Sequence, residues 1–247
     1  MGATRRMEDS IAASLRDHVS EPVSTAEAVV TAEFAEVDAE REAFEAFEDR
    51  VAGIDTVSMS RSTPASQRPG LVQARPQCAE RVRNAFRETV MSVDHYDALY
   101  GETLDEHFAA ELSPDLLAGL QEGAGSQFTD LYKRTLLGAI ETAIDQRETF
   151  CDILDNERAS LETSAAAIET LVDDLDGTRV RPQNRAEFAD ALDEIARQRQ
   201  ETFAGRTSSP RTDGHDLCDY LYGNCEWTYP VLTAVTRLRS TVNGLVA

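Results

Sequence analysis

Lysine is almost absent from this chain. Lys133 is the only one, against 23 arginines and 45 acidic residues, which leaves a net charge of −21 over 247 residues. Cysteine is scarce as well. Cys78, Cys151, Cys218 and Cys225 are too few and too scattered for a disulfide framework, which fits a reducing compartment. No stretch approaches the roughly eighteen apolar residues of a membrane span. The opening "MGATRRMEDS" lacks the apolar core of a secretory leader, and Met7 is an alternative start, since Met1 to Arg6 fits no pattern. The expectation is a soluble, cytoplasmic chain with no membrane contact.

Short catalytic motifs are missing too. There is no G-x-x-x-x-G-K-[ST] loop to cradle a nucleotide phosphate, no H-E-x-x-H and no G-x-S-x-G. No C-x2-C pair exists, and no histidine follows a glutamate by three residues, as the di-iron helical bundles require. "GAGS" at 123–126 follows a helical pattern rather than a strand, so it is no dinucleotide fingerprint. These absences disfavour P-loop hydrolases, zinc proteases and serine hydrolases, and they predict no cofactor.

What is present reads as helix, and the fold class expected is all-α. Ile11, Leu15 and Val19 suggest a short helix ending before Pro22, and "STAE" at Ser24 to Glu27 reads as a capping box that starts another. There Val30, Val37, Phe44 and Val51 recur every seven residues. Phe47 and Ile54 hold companion positions, with Glu33 and Glu40 intruding in the same positions earlier. Residues 7–58 form an N-terminal helical arm in this reading, and 59–75, rich in Ser, Pro, Gly and Gln, form a flexible linker or loop.

A helical domain then occupies 76–247. Thr103 to Glu106 is a capping box, and Ser113-Pro114 is another helix start. The longest pattern lies at about 128–176. Leu137, Ile144, Cys151, Arg158, Ala165 and Val172 recur in one heptad position, and Ile140, Arg147, Leu154, Leu161, Ile168 and Leu175 in the other. Only Arg147 and Arg158 are charged among them, which argues for a coiled-coil-like helix. Unbroken, it would be about 74 Å long at 1.5 Å per residue. An elongated helical hairpin or bundle with a C-terminal helical pair is expected.

"HYDALYGE" (95–102), "DLCDYLY" (216–222) and "WTYPVL" (227–232) resemble signatures of an uncharacterised haloarchaeal family of coiled-coil helical proteins, over roughly residue 75 to the end. The resemblance implies a helical protein of a salt-loving archaeon and carries over no activity, ligand or catalytic residue. Composition agrees, because excess carboxylate with little lysine is also the habit of extreme halophiles. Carboxylates hold water and cations where water activity is low. In multimolar salt the Debye length falls below about 3 Å, so the net charge reports the solvent more than the partners.

Three constellations invite chemistry. His215, Cys218 and Cys225 supply three metal ligands without a fourth, so a metal- or redox-sensing role is set below a packing role. In the packing reading Leu217, Tyr220 and Leu221 form an apolar face, Gly223 gives a left-handed stop, and Trp227 and Tyr229 staple the start of the last helix as a lock over 215–247. Trp227→Ala should then cost about 3–5 kcal/mol if the ring is buried, and Cys225→Ser little. "HYDALYGE" gathers His95, Tyr96, Asp97, Tyr100 and Glu102, which could serve acid–base work but read more simply as helix-end pairs. His107 and Glu111 lie one turn apart.

The third is a basic stretch, Arg61, Arg68, Arg75, Arg81, Arg83 and Arg87, with Glu80 its single acid across 57–87. It is expected to dock on acidic helices of the same chain. Nucleic-acid contact is the alternative, disfavoured because phosphate contacts weaken steeply with salt. The functional expectation is a non-enzymatic interaction or scaffold protein, binding a protein partner or itself through its heptad helices.

Overall fold

A computed structural model describes the backbone of residues 2–56, 70–121, 128–177, 185–204 and 216–244, and the side chains within 16–56, 78–121, 128–175, 185–202 and 216–243. The elements among them are all helical: α1 (Gly2–Ala52), α2 (Gly70–Glu88), the single turn α3 (Tyr96–Leu99), α4 (Leu104–Glu111), α5 (Pro114–Leu120), α6 (Asp130–Gly177), α7 (Arg185–Ala204), α8 (Leu217–Tyr222) and α9 (Pro230–Gly244). No strand occurs among the described residues, so the chain is all-α, and none of its described helices is long and apolar enough to cross a membrane. Gly70 opens α2, so the last residues of the expected linker 59–75 are helical.

Packing divides the chain into two compact units, Ala35–Cys151 and Met1–Phe34 with Asp152–Ala247. This grouping differs from an arm at 7–58 followed by a domain at 76–247, because each unit takes a portion of α1 and a portion of α6. In the unit Ala35–Cys151 the two run antiparallel. Lys133, in the first turn of α6, donates from Nζ to the carbonyls of Ala52 (2.6 Å) and Ile54 (2.8 Å) at the end of α1. Thr56 donates to Asp130, and deeper in the helices Arg147 meets Glu40. Around that pair Phe44, Phe47, Phe86, Phe108, Leu116 and Ile140 form the core, with Phe86 edge-on to Phe47 (5.3 Å) and Phe108 (5.0 Å).

In the other unit Arg16 pairs with Asp173 at 2.7 Å, and the Arg158 guanidinium lies 5.6 Å from the Phe34 ring centroid, again an antiparallel α1–α6 pair. The α9 helix joins α7 through Arg239 to Asp193 and Arg185 to Asn243 (2.6 Å).

Two sequence expectations change. Residues 2–52 form one helix through Pro22, and Ser24 is mid-helix, its hydroxyl donating to the Glu21 carbonyl at 3.1 Å rather than capping a new start. Proline removes one backbone donor and crowds the carbonyl four residues earlier. That carbonyl, on His18, accepts from Arg237 instead. Along α6 the positions Ile140, Arg147, Leu154, Leu161, Ile168 and Leu175 are buried as read. Their partners are mainly Leu136, Ala143, Phe150, Glu157 and Ser164, one residue before the expected Leu137, Ile144, Cys151, Arg158 and Ala165; of the expected set only Cys151 and Val172 are buried. Both neighbours flank the shared row on a helix, and the volume of the facing elements selects between them.

Candidate functional site

A group of ionisable side chains in the unit Ala35–Cys151 forms where "HYDALYGE" folds back on itself. α3 is a single turn. Gly101 ends it in the left-handed region (φ +57°), with its N–H donating to the Tyr96 carbonyl at 3.2 Å. Thr103 then caps α4 in a full capping box: its hydroxyl accepts from the Glu106 N–H, and the Glu106 carboxylate accepts from the Thr103 N–H at 2.9 Å. The Thr103 hydroxyl also donates to that carboxylate at 2.6 Å, and this bond, followed by the one from the Thr103 N–H, holds the Glu106 carboxyl below its ordinary range.

The sharp reversal brings His95, Tyr100 and Glu111 to a glutamate on α1 and an arginine on α6. Glu40 is 4% exposed. Its Oε2 accepts from Arg147 Nε (2.9 Å), and its Oε1 from the Tyr100 hydroxyl (2.8 Å), with His95 Nε2 at 3.3 Å. Arg147, also 4% exposed, donates further to Glu111 Oε2 (2.9 Å) and to the Ala143 carbonyl (3.1 Å). Its guanidinium stacks 4.2 Å from the Phe44 centroid. His107 is buried beside this group, with Nδ1 at 3.1 Å from Glu102 Oε2 and its ring perpendicular to Tyr96 at 5.0 Å. Burial, then the nearby Glu102 carboxylate, raises the Tyr96 phenol above its usual range.

Chemically this is a clamp. Both carboxylate oxygens of Glu40 and each nitrogen of Arg147 have a protein partner, and an arginine shared between two carboxylates tolerates burial far better than either charge alone. The sequence carried a signal for it. Glu40 was one of two glutamate intruders in the α1 pattern and Arg147 the charged intruder in its α6 row, and they face each other.

The lock over 215–247 belongs to the other unit. Asp216 caps α8, and Leu217 and Leu221 are buried as expected. Cys218 (0% exposed) and Tyr222 (1% exposed) are buried more deeply than either leucine, an inward face that the spacing of Leu217, Tyr220 and Leu221 did not disclose. The Tyr222 hydroxyl donates to Glu157 Oε1 (2.7 Å), and Arg199 pairs with both oxygens of the same carboxylate while donating to Ser160 Oγ (2.8 Å). Burial, with Glu157 alongside, pushes the Tyr222 phenol far above its ordinary value. Tyr220 is half-buried and donates to Glu33 Oε1 at 2.7 Å, so the second glutamate intruder of α1 is also matched.

Trp227 is half-buried beneath the Arg237 guanidinium, 4.5 Å from its ring. The condition for a 3–5 kcal/mol loss is therefore not met. Tyr229, the other residue expected to staple the start of the last helix, is 44% exposed. Gly223 is right-handed (φ −59°, ψ −27°) rather than a left-handed stop; a Cβ there would overlap the Asp219 carbonyl.

His215 lies outside the described residues. Cys218 is buried and Cys225 half-buried, and among the described residues no group of three His, Cys, Asp or Glu side chains is placed to hold a metal ion. Arg61 and Arg68 also lie outside, as does the side chain of Arg75. Arg83 pairs with Asp105 at 2.6 Å, Arg87 donates to Asn84 (2.7 Å), and Arg81 is exposed.

No curated protein and no solved structure matches the chain. A family model does, over residues 21–245, reaching well ahead of the residue-75 limit of the signature resemblance. The chain belongs to the family described as Domain of unknown function (DUF7260).

Proposed function

We propose that this chain is a non-enzymatic helical interaction or scaffold protein of a salt-loving archaeon, working in the cytoplasm. The observation that supports it most is the fate of Glu40, Arg147, Glu111, His95 and Tyr100. The residues best suited to acid–base chemistry bind one another, with Glu40 and Arg147 buried and His95, Tyr100 and Glu111 half-buried around them. A general acid or base has to reach a substrate proton within hydrogen-bond distance; these groups hold helices in register. The pairing of Arg83 with Asp105 likewise favours self-docking of the basic stretch over nucleic-acid binding. The heptad stripes of α1 and α6 face each other within the chain, so a partner would engage other faces.

Capture of the tagged chain from a haloarchaeal host, lysed and washed in multimolar salt, should recover a protein at stoichiometric level that rebinds after purification. Recovery of the chain alone would overturn the reading.

A further inference from the structure

One short pattern, D-x-L-Y-G, occurs twice in the chain. Asp97-Ala98-Leu99-Tyr100-Gly101 closes α3, and Asp219-Tyr220-Leu221-Tyr222-Gly223 closes α8. The chemistry repeats with it. Tyr100 donates to Glu40 at 2.8 Å and Tyr222 to Glu157 at 2.7 Å. Each glutamate also accepts from a buried arginine, Arg147 or Arg199. In both units a short aromatic helix is thus fastened through a phenol to a glutamate–arginine pair on longer helices.

The two copies are fastened unequally. On α8, Leu217, Cys218, Leu221 and Tyr222 are all buried, and Tyr220 adds a bond to Glu33 at 2.7 Å. Lifting α8 would strip that apolar surface and take a donor from Glu157, which is 0% exposed. On α3 only Tyr96 is buried, and Asp97, Ala98 and Leu99 face solvent. Leu99 is 56% exposed against 7% for its counterpart Leu221. The N–H groups of Ala98, Leu99, Tyr100 and Gly101 bond to the carbonyls of His95 and Tyr96, within the segment itself. Nor does Glu40 depend on this segment for its charge partner. Its Oε2 would keep Arg147, which keeps Glu111 and the Ala143 carbonyl, and its Oε1 would meet water. A segment with so little buried apolar surface belongs to the part of a fold that opens first.

We propose that residues 94–101 are a strap that lifts from Glu40 while the helices around it stay folded, whereas its second copy on α8 opens only with its unit. Lifting uncovers the Glu40 carboxylate and the His107 ring, on which Tyr96 and Tyr100 rest with centroids 5.0 and 4.8 Å away.

Native-state hydrogen exchange on the full chain, resolved by residue in rising but sub-denaturing urea, tests this. A single turn does not persist without its support, so the amides of Ala98, Leu99, Tyr100 and Gly101 report lifting. Their exchange should be nearly independent of urea, because little surface opens, while exchange along α8 and α6 rises with it. Tyr100→Phe should accelerate the strap amides about 10-fold, the value of one half-buried hydrogen bond to a carboxylate, and leave α6 unchanged over 136–150. Tyr222→Phe should accelerate α8 and residues 154–168 of α6 together.

A urea dependence at 98–101 equal to that of α6 overturns the strap. So does a Tyr100→Phe chain whose strap amides are unchanged, or whose α6 amides accelerate equally. Urea-independent exchange along α8 overturns the contrast between the two copies.

Discussion

Arg237 donates from Nη1 to the backbone carbonyl of His18 at 2.5 Å, the carbonyl that Pro22 cannot serve. The same guanidinium lies over Trp227 and reaches Glu21 Oε2 at 3.3 Å. One side chain thus ties the aromatic C-terminal segment to the proline-bearing turn of α1, and it explains how that helix continues.

Removing the donor should expose the defect. Arg237→Met is expected to destabilise by about 0.5–1.5 kcal/mol, the net value of one hydrogen bond to an exposed carbonyl. In a Pro22→Ala background the loss should shrink, because residue 22 then supplies the missing N–H. Denaturant melts of the four variants read the coupling, and strict additivity would contradict the account. Trp227→Ala should cost about the same as Arg237→Met, well short of the fully buried value.

Glu40 and Arg147 should behave as a couple. Arg147→Leu strands the buried Glu40 carboxylate and is expected to cost about 3–5 kcal/mol. Glu40→Leu leaves Arg147 its Glu111 partner and should cost less, and the double replacement should recover most of the Arg147→Leu loss. Comparable losses in all three variants would show that packing, rather than charge matching, dominates this site.

Lys133 tests why a chain so poor in lysine keeps one. A compact ammonium can converge on two carbonyls, and a planar guanidinium aims its donors differently. Lys133→Met should cost about 1–2 kcal/mol, with Lys133→Arg restoring less than half. Faster amide exchange near the end of α1 should accompany the loss in both, and full rescue by arginine would disprove the geometric argument.

Alkaline pH should find Tyr132 and Tyr222. Burial raises both phenols far above their ordinary value, and at Tyr222 the Glu157 carboxylate adds to it. The folded-state value lies above the unfolded one. The stabilisation is therefore complete below about pH 10, the unfolded tyrosine range, and is lost as pH rises beyond it. Of the six tyrosines, at least these two should ionise only with unfolding, so that phenolate absorbance and helical signal change together at the end of the titration. Tyr222→Phe should remove one late group. Reversible ionisation of all six in the folded chain would refute this.

The sequence by itself determined the helical class, the α4 and α5 caps at Thr103 and Ser113, and one row of the α6 stripe. Those depend on interactions within a turn or two of the chain, where spacing and residue type suffice. It also exposed Glu40, Glu33 and Arg147 as misfits without naming their partners. Tertiary structure decided the rest: that α1 survives Pro22 because Arg237 arrives from 215 residues away, that Leu136 rather than Leu137 turns inward, and that Tyr222 goes deeper than Trp227. In each case a group distant in sequence decides the outcome by satisfying a polar atom or filling a volume, which local spacing does not encode.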